Sequence, residues 1–286
     1  MGKVGEPLVR EAVLEGLFYP HRSHDLREAV SNLLVRSEEP AGRAKGIICP
    51  HASFQYAGLH EATAFKAAAA RDVHLVVILA SATHHSDRTP AVPESHVFRT
   101  PLGDSNIDRR FISALERRVR MIRRDDLPFL ESPAVETPLP FIQYLWPEAR
   151  IAPCIVPRLE SESIDELGHG LVEAARHHAD DNVLWVASTN IARGGNAGQT
   201  RAVADLVLGQ LANPSTNPDC KDQRNVHSPG AYPADTVCRL LRRCTGSEIS
   251  CEILTRGSSC DFDGNTESNT EYASISLTEC RPAGRD

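Results

Sequence analysis

The strongest constraint on the fold is a strand–helix–strand pattern in the first third of the chain. An apolar run at about 45–49 predicts a buried strand, and Val73 to Leu79 predicts a second, stronger one. Between them, the alanine-rich stretch from Leu59 to Ala70 predicts a helix. Strands joined through a helix are parallel, with a right-handed crossover. The pattern therefore predicts an α/β fold with a parallel core.

Each of these two strands runs directly into histidine. His51 follows Pro50 at the end of the first strand, and His84 follows the second strand after a few small residues. In open α/β sheets, ligands bind outside the carboxyl ends of the strands. We therefore predict that His51 and His84 line one site at one edge of the sheet. The alternative for His51 is a structural role, in which it caps a strand end through a backbone hydrogen bond.

The rest of the chain alternates helices and strands without a break in composition. An amphipathic helix from Ser23 to Leu34, with Ser23 as its N-cap, precedes the first strand. Further predicted helices lie at about 108–120, from near Pro140, and at 164–177, 202–211 and 236–244; further strands lie at 151–156, 182–188, 250–255 and 272–277. The most economical architecture is a single three-layer α/β domain with a central mixed sheet, spanning 1–286. Its core covers about 14–277, and 278–286 form a loose tail.

Composition excludes several classes of protein. The net charge of −7 argues against nucleic acid or an anionic membrane as the partner. No apolar run approaches the roughly 20 residues that span a bilayer, and the N-terminus lacks a signal-peptide core, so we predict a cytoplasmic protein. The eight cysteines form no Cys-x-x-Cys pair, which predicts reduced thiols rather than a zinc knuckle.

Several clusters are typical of ordinary structural roles. The arginines around 109–124 are typical of a solvated helix face, because acidic residues follow them. His177 and His178 end a predicted helix, where positive charge is favoured, and we predict no chemistry there. Cys238 and Cys244 are predicted to pack in the core. The stretch 261–265 suggests a calcium loop but lacks the downstream glutamate, so a hairpin turn is predicted.

Short segments along the chain occur in the order that a known family shows. They are Gly16 to Pro20, Pro50 to Gly58, Ile78 to His85, Thr100 to Asp104 with Asp108, Glu136 with Leu139 to Ile142, and Ser258 to Leu277. Through them the chain resembles the Memo family, whose fold is related to the class III extradiol ring-cleavage dioxygenases. The resemblance extends from about 14 to 277 and implies the same fold.

The resemblance also implies a metal centre of non-haem iron or copper, built from histidines, an aspartate and a cysteine. Imidazole and thiolate ligands suit these metals. His51 and His84 stand at matching positions. Asn190 stands where the family has the aspartate, and Arg193 where it has a further histidine. The family's late Cys-Gly-x-x-Pro is missing, and His227 is the potential ligand near its place.

These differences leave two interpretations open. Asparagine removes a negative ligand, and arginine replaces a lone pair with a permanent positive charge that repels a metal ion. In the first interpretation the metal site is partly lost. Asn190 and Arg193 then line a pocket for a small polar or anionic ligand, or for a peptide or protein partner. In the second, rearranged ligands His51, His84 and His227 hold iron or copper in a dioxygenase-like oxidoreductase.

Glu136 is the remaining candidate for chemistry. It lies among prolines in a segment that matches the family, and a glutamate there could act as a general acid or base. The equally open alternative is a structural role as an N-cap or salt-bridge partner. The long Pro/Asn/Ser/Gly-rich segment 213–233 contains His227, and segments of this kind are often functional or disordered.

Overall fold

The computed structural model describes residues 7–82, 89–178, 182–212, 232–246 and 249–279. Its strands are β1 Val9–Arg10, β2 Gly46–Cys49, β3 Leu75–Ser81, β4 Ala91–Val92, β5 Val97–Thr100, β6 Gly103–Asn106, β7 Arg123–Arg124, β8 Arg150–Val156, β9 Val183–Ser188, β10 Ala192–Gly194, β11 Ile249–Ser258 and β12 Asn269–Glu279. Its helices are α1 Ser23–Arg36, α2 Phe54–Lys66, α3 Arg109–Arg118, α4 Leu127–Glu131, α5 Pro133–Glu136, α6 Leu139–Leu145, α7 Ser161–Ala175, α8 Ala197–Ala212, α9 Tyr232–Thr245 and α10 Cys260–Asp263.

A nine-stranded mixed sheet forms the centre of the molecule, as predicted. Its strands run in the order β10-β12-β2-β9-β3-β8-β4-β7, and β11 pairs with β12. The four strands β2, β9, β3 and β8 are parallel, and β12 is antiparallel to β2, β10 and β11. Every residue of β3 is buried, which is typical of a parallel strand covered on both faces. The continuous apolar run that predicted β3 reflects this burial.

Helices cover both faces of the sheet. In β2, a side chain at Gly46 would meet Thr245 and Leu241 of α9, so this face lies under α9. Cys49 points the opposite way, because side chains alternate along a strand, and it lies close enough to Glu61 of α2 to feel its charge. α1 and α6 pack with α2, and α3 packs with α7, which packs with α9. The arrangement is the predicted three-layer α/β architecture.

Helix α2 begins earlier than the predicted 59–70. It starts at Phe54, and its buried face includes Ala57 and Gly58. Glycine usually weakens a helix, but here it allows α1 to approach closely. A Cβ atom on Gly58 would lie 2.9 Å from Leu33 Cδ1. This close approach is a tertiary feature that local propensity does not contain.

The start of α1 corrects a second prediction. The predicted N-cap, Ser23, is instead the first residue of the helix, and Arg22 occupies the cap position without a side-chain hydrogen bond. The helix therefore begins without a capping side chain. Its stability comes mainly from the buried residues Leu26, Val30 and Leu34, which the amphipathic pattern identified.

Short strands were missed by the sequence pattern. The polar segment around Pro101 and Gly103 is the turn of the β5–β6 hairpin, where Gly103 has a φ of 130°. β5 also pairs with β1 in a separate three-stranded sheet. The stretch 261–265 lies in the connection between the antiparallel strands β11 and β12, where its first residues end the short helix α10 and Gly264 has a φ of 69°. Among the described residues, every helix is too short or too polar to traverse a bilayer.

Candidate functional site

The parallel pairing of β2 and β9 brings two predicted site residues together. Cys49 at the end of β2 is in register with Ser188 at the end of β9, so the segments after both strands leave the sheet side by side. The backbone N–H of His51 donates to Asn190 Oδ1 at 3.1 Å, and Asn190 Nδ2 donates to the His51 carbonyl at 3.4 Å. The amide of Asn190 therefore ties the two strand ends together.

The imidazole of His51 is partly buried and held in its neutral form. Its Nδ1 lies 3.4 Å from the hydroxyl oxygen of Ser188. Burial, together with the positive charge of Arg193, lowers the pKa of His51 to about 4, although a hydrogen bond with Ser188 opposes the shift. A neutral imidazole keeps one lone pair for a ligand or a proton at physiological pH.

Arg193 is placed beside this group by an edge strand that the sequence pattern did not predict. It lies in β10, paired with Thr270 of β12, and it is exposed. Its positive charge also lowers the pKa of Tyr272 in β12, although burial outweighs it and raises that pKa to about 12. Arg193 is therefore a source of positive charge near His51 at the carboxyl edge of the sheet.

A buried carboxyl group close to this site was missed by the sequence analysis. Glu61 is fully buried on the face of α2 that turns toward the sheet. Among the described residues, neither of its carboxyl oxygens has a hydrogen-bond partner of normal distance and angle, and the backbone amide of Ala52 interacts with the group only partly. Burial raises its pKa well above the usual value, and the backbone amide of Ala52 offsets only part of the effect. The available signal was a glutamate at helical spacing from the apolar residues Ala57 and Phe65.

Cys49 belongs to the same buried surroundings. Burial raises the pKa of its thiol well above the usual value, and the carboxyl group of Glu61 raises it further. Ser188 acts in the opposite direction. The thiol is a free, buried cysteine, as the sequence predicted. A thiol held in its protonated form is a poor nucleophile and a poor metal ligand.

Glu136 lies in a different network, at the end of α5. Its fully buried carboxylate forms a salt bridge with Arg10 and accepts a hydrogen bond from the hydroxyl of Tyr19. The backbone amide of Leu14 donates to Oε1 at 2.9 Å, and that of Val13 donates at 3.2 Å. The structure thus supplies the partner required for the predicted salt-bridge role. The acid/base role stays a prediction, and a substrate would have to displace these donors.

The predicted set of metal ligands is described only in part. His84 and His227 lie outside the described residues. Within the described ranges, no three His, Cys, Asp or Glu side chains come close enough to hold a metal ion. Asn190 is engaged by the His51 backbone, and Arg193 brings a positive charge. The described residues alone therefore do not fit the iron or copper centre that the resemblance implies, and the three-histidine set stays a prediction.

Comparison with known proteins decides the family. A family model described as "Memo-like protein" matches residues 10–276. The chain belongs to the Memo-like protein family. The MEMO1 family protein of Methanopyrus kandleri is 24% identical over 279 residues, which cover 93% of this chain and 98% of that protein. The MEMO1 family protein of Thermoplasma acidophilum is 28% identical over 185 residues, covering 63% of this chain and 66% of that protein.

One solved structure is also similar to this Memo-like protein. An uncharacterized protein from Escherichia coli K12 matches 82% of this chain and 99% of its own, with a TM-score of 0.46 and 14% identity. A likeness at this level carries no argument about function. The family membership confirms the resemblance predicted from the ordered sequence segments. The activity of the Memo-like protein has to be inferred from its own side chains.

Proposed function

We propose that His51, Ser188, Asn190 and Arg193 line a pocket, here called the His51 pocket, in which this Memo-like protein binds a small anionic or polar ligand. It has little or no oxygenase activity in this proposal. The observation that carries the proposal is the double hydrogen bond between the Asn190 amide and the His51 backbone. Both the Oδ1 and the Nδ2 atoms of Asn190 are used to join the two strand ends. In the family this position is a metal-binding aspartate.

The electrostatics of the pocket favour an anion. His51 is neutral at physiological pH, because its pKa is lowered to about 4, and Asn190 carries no charge. Arg193 is a permanent cation whose field reaches the imidazole. A carboxylate or phosphate group can accept hydrogen bonds from a guanidinium and from a neutral imidazole N–H together. A peptide or protein partner that presents such a group would use the same contacts.

A metal-dependent oxidoreductase is the second candidate. Metal ions bind the neutral form of histidine, and His51 is held in that form. In this candidate His51, His84 and His227 would hold iron or copper, which would supply Lewis-acid and template chemistry for a dioxygenase-like reaction. The positive charge of Arg193 and the neutral amide of Asn190 weigh against it, since both reduce the negative charge that stabilises a bound cation.

Two measurements separate these candidates. The protein is purified anaerobically with ferrous iron or cuprous copper, and bound metal is measured for the wild type and for His51→Ala. Stoichiometric metal that is lost in His51→Ala would overturn the proposal. Calorimetric titration with oxalate and with inorganic phosphate tests the anion directly. Binding should weaken in Arg193→Gln and persist in Arg120→Gln, an exposed arginine outside the pocket.

A further inference from the structure

A second cleft lies at the opposite edge of the sheet from the His51 pocket. It has a volume of about 650 Å³ and is lined by three arginines and three histidines. These are Arg109, Arg110, Arg150, His74, His177 and His178. We call this group the basic cleft. His51 follows the carboxyl end of β2, whereas His74 and Arg150 stand at the amino ends of the parallel strands β3 and β8. The two sites are therefore distinct.

The fold brings these distant residues together through its backbone pairing. The N–H of Arg150 donates to the carbonyl of His74 at 2.9 Å, alongside the pairing of β3 with β8. The N–H of Asp108, the N-cap of α3, donates to the carbonyl of Ile151 at 2.8 Å. This bond places the first turn of α3 beside the start of β8. His177 and His178 follow α7, which packs against α3.

Positive charge in the basic cleft is not balanced by the described residues. Asp108 and Glu148 are the two acidic residues that line it. Asp108 is already engaged, because its Oδ1 accepts the Phe111 N–H at 2.8 Å and its Oδ2 lies 3.2 Å from His178 Nε2. The side chains of the three arginines form no ion pair or hydrogen bond with any described residue. Two carboxylates, those of Asp108 and Glu148, therefore face three guanidinium groups and leave an excess of positive charge among the described lining residues.

The position of Arg109 and Arg110 is also unfavourable in the protein alone. Both lie in the first turn of α3, which contains no acidic residue. The amino end of a helix carries partial positive charge, so cations there are unfavourable. Local conflicts of this kind are expected where a side chain serves function rather than stability. Asp108 already caps this helix end, and a bound anion would compensate for the positive charge of the two arginines.

We propose that the basic cleft binds a small polyanion with at least two phosphate groups. Guanidinium groups bind phosphate oxygens through paired, charge-assisted hydrogen bonds. The three arginines come from α3 and β8, and together they match a ligand with several negative charges better than a ligand with one. The cleft volume lies in the range of roughly 300–1,000 Å³ that holds small ligands. The apolar lining residues Phe111 and Ala174 are buried, and the other lining residues are charged side chains or histidines, so recognition is through charge.

The proposal is tested by calorimetric titration of the full-length protein with sodium pyrophosphate and, in parallel, with inorganic phosphate. The wild type should bind one pyrophosphate, more tightly than phosphate. Arg110→Gln and Arg150→Gln should each weaken pyrophosphate binding about tenfold or more, because each loses charged hydrogen bonds. Arg117→Gln and Arg120→Gln are the matched controls. Both remove the charge of an exposed arginine nearby but outside the cleft, and both should bind as the wild type does.

Several results would overturn the proposal. One is the absence of pyrophosphate binding at millimolar concentration, and another is equal affinity for phosphate and pyrophosphate. Equal weakening in the control variants would show that binding follows net charge rather than the cleft. A loss confined to Arg193→Gln would place the anion in the His51 pocket. Urea unfolding midpoints of Arg110→Gln and Arg150→Gln, compared with the wild type, show that both variants remain folded, since both side chains are exposed.

Discussion

Replacing Glu136 with glutamine is the sharpest test of how the N-terminal segment is held. The side chains of Arg10 and Glu136 are 1% and 0% exposed, so their charges are fully removed from water. Glutamine has nearly the same shape but no charge. It leaves the guanidinium of Arg10 with the carbonyl of Phe129, at 2.6 Å, and the face of the Phe98 ring, at 5.5 Å. These contacts are weaker than an ion pair.

The expected cost follows from this geometry. Removing one partner of a buried ion pair typically costs about 3–5 kcal/mol, because the other charge stays buried without compensation. The carboxylate also accepts the Tyr19 hydroxyl and the backbone amides of Val13 and Leu14. The side-chain NH₂ group of glutamine is a hydrogen-bond donor and cannot accept the hydrogen bonds that these groups donate to the carboxylate. We therefore expect Glu136→Gln to lower the free energy of unfolding by about 3–5 kcal/mol.

The assay is urea unfolding followed by circular dichroism and tryptophan fluorescence. Arg10→Met and the double variant complete a double-mutant cycle. The sum of the losses in free energy of unfolding for the two single variants should exceed the loss for the double variant. Glu28→Gln is the control, because it removes the same charge from an exposed position on α1. If Glu136→Gln and Glu28→Gln both stay within about 1 kcal/mol of the wild type, the inferred buried ion pair is refuted.

Three further predictions concern packing and protonation. Gly170→Ala should destabilise the protein by about 1–3 kcal/mol, because the new Cβ would lie 2.2 Å from Cγ2 of Val119. Gly209→Ala should stabilise it by about 0.5–1 kcal/mol, because its Cβ would meet nothing within 4 Å and alanine favours a helix over glycine. By NMR, the imidazole of His51 should titrate near pH 4, with a higher midpoint in Arg193→Gln. Glu61→Gln should gain stability relative to the wild type as pH rises, measured by urea unfolding between pH 4.5 and 8.

The sign of the Glu61 prediction follows from its raised pKa. Because the folded protein holds this proton more tightly than the unfolded chain, the contribution of Glu61 to stability is complete below its unfolded pKa and is lost as pH rises toward the folded pKa. A stability difference between wild type and variant that does not change with pH would contradict it. A His51 midpoint near 6.5 would contradict the burial of the imidazole, and similar effects of the two alanine variants would contradict the packing of α7 on α3.

The sequence by itself determined the elements whose signal is local. The apolar run of β3 specified a buried parallel strand, because residues covered on both faces are continuously apolar. The ordered segments predicted the family, and the strand ends predicted that His51 lies at a carboxyl edge of the sheet. The strand inferences need only neighbouring residues and the general rule that parallel strands end at one edge, whereas the family inference rests on the resemblance of segments along the chain.

Only the tertiary structure decided the environment of each side chain. Glu61 lies on a helix face like any other, and its lack of a partner depends on which residues the sheet brings against α2. Arg110 belongs to a basic run typical of a solvated helix, yet chain pairing sets it beside Arg150, forty residues away in sequence. Charge, burial and hydrogen bonding act through space. Residues far apart in the chain therefore determine them, and local patterns do not record those contacts.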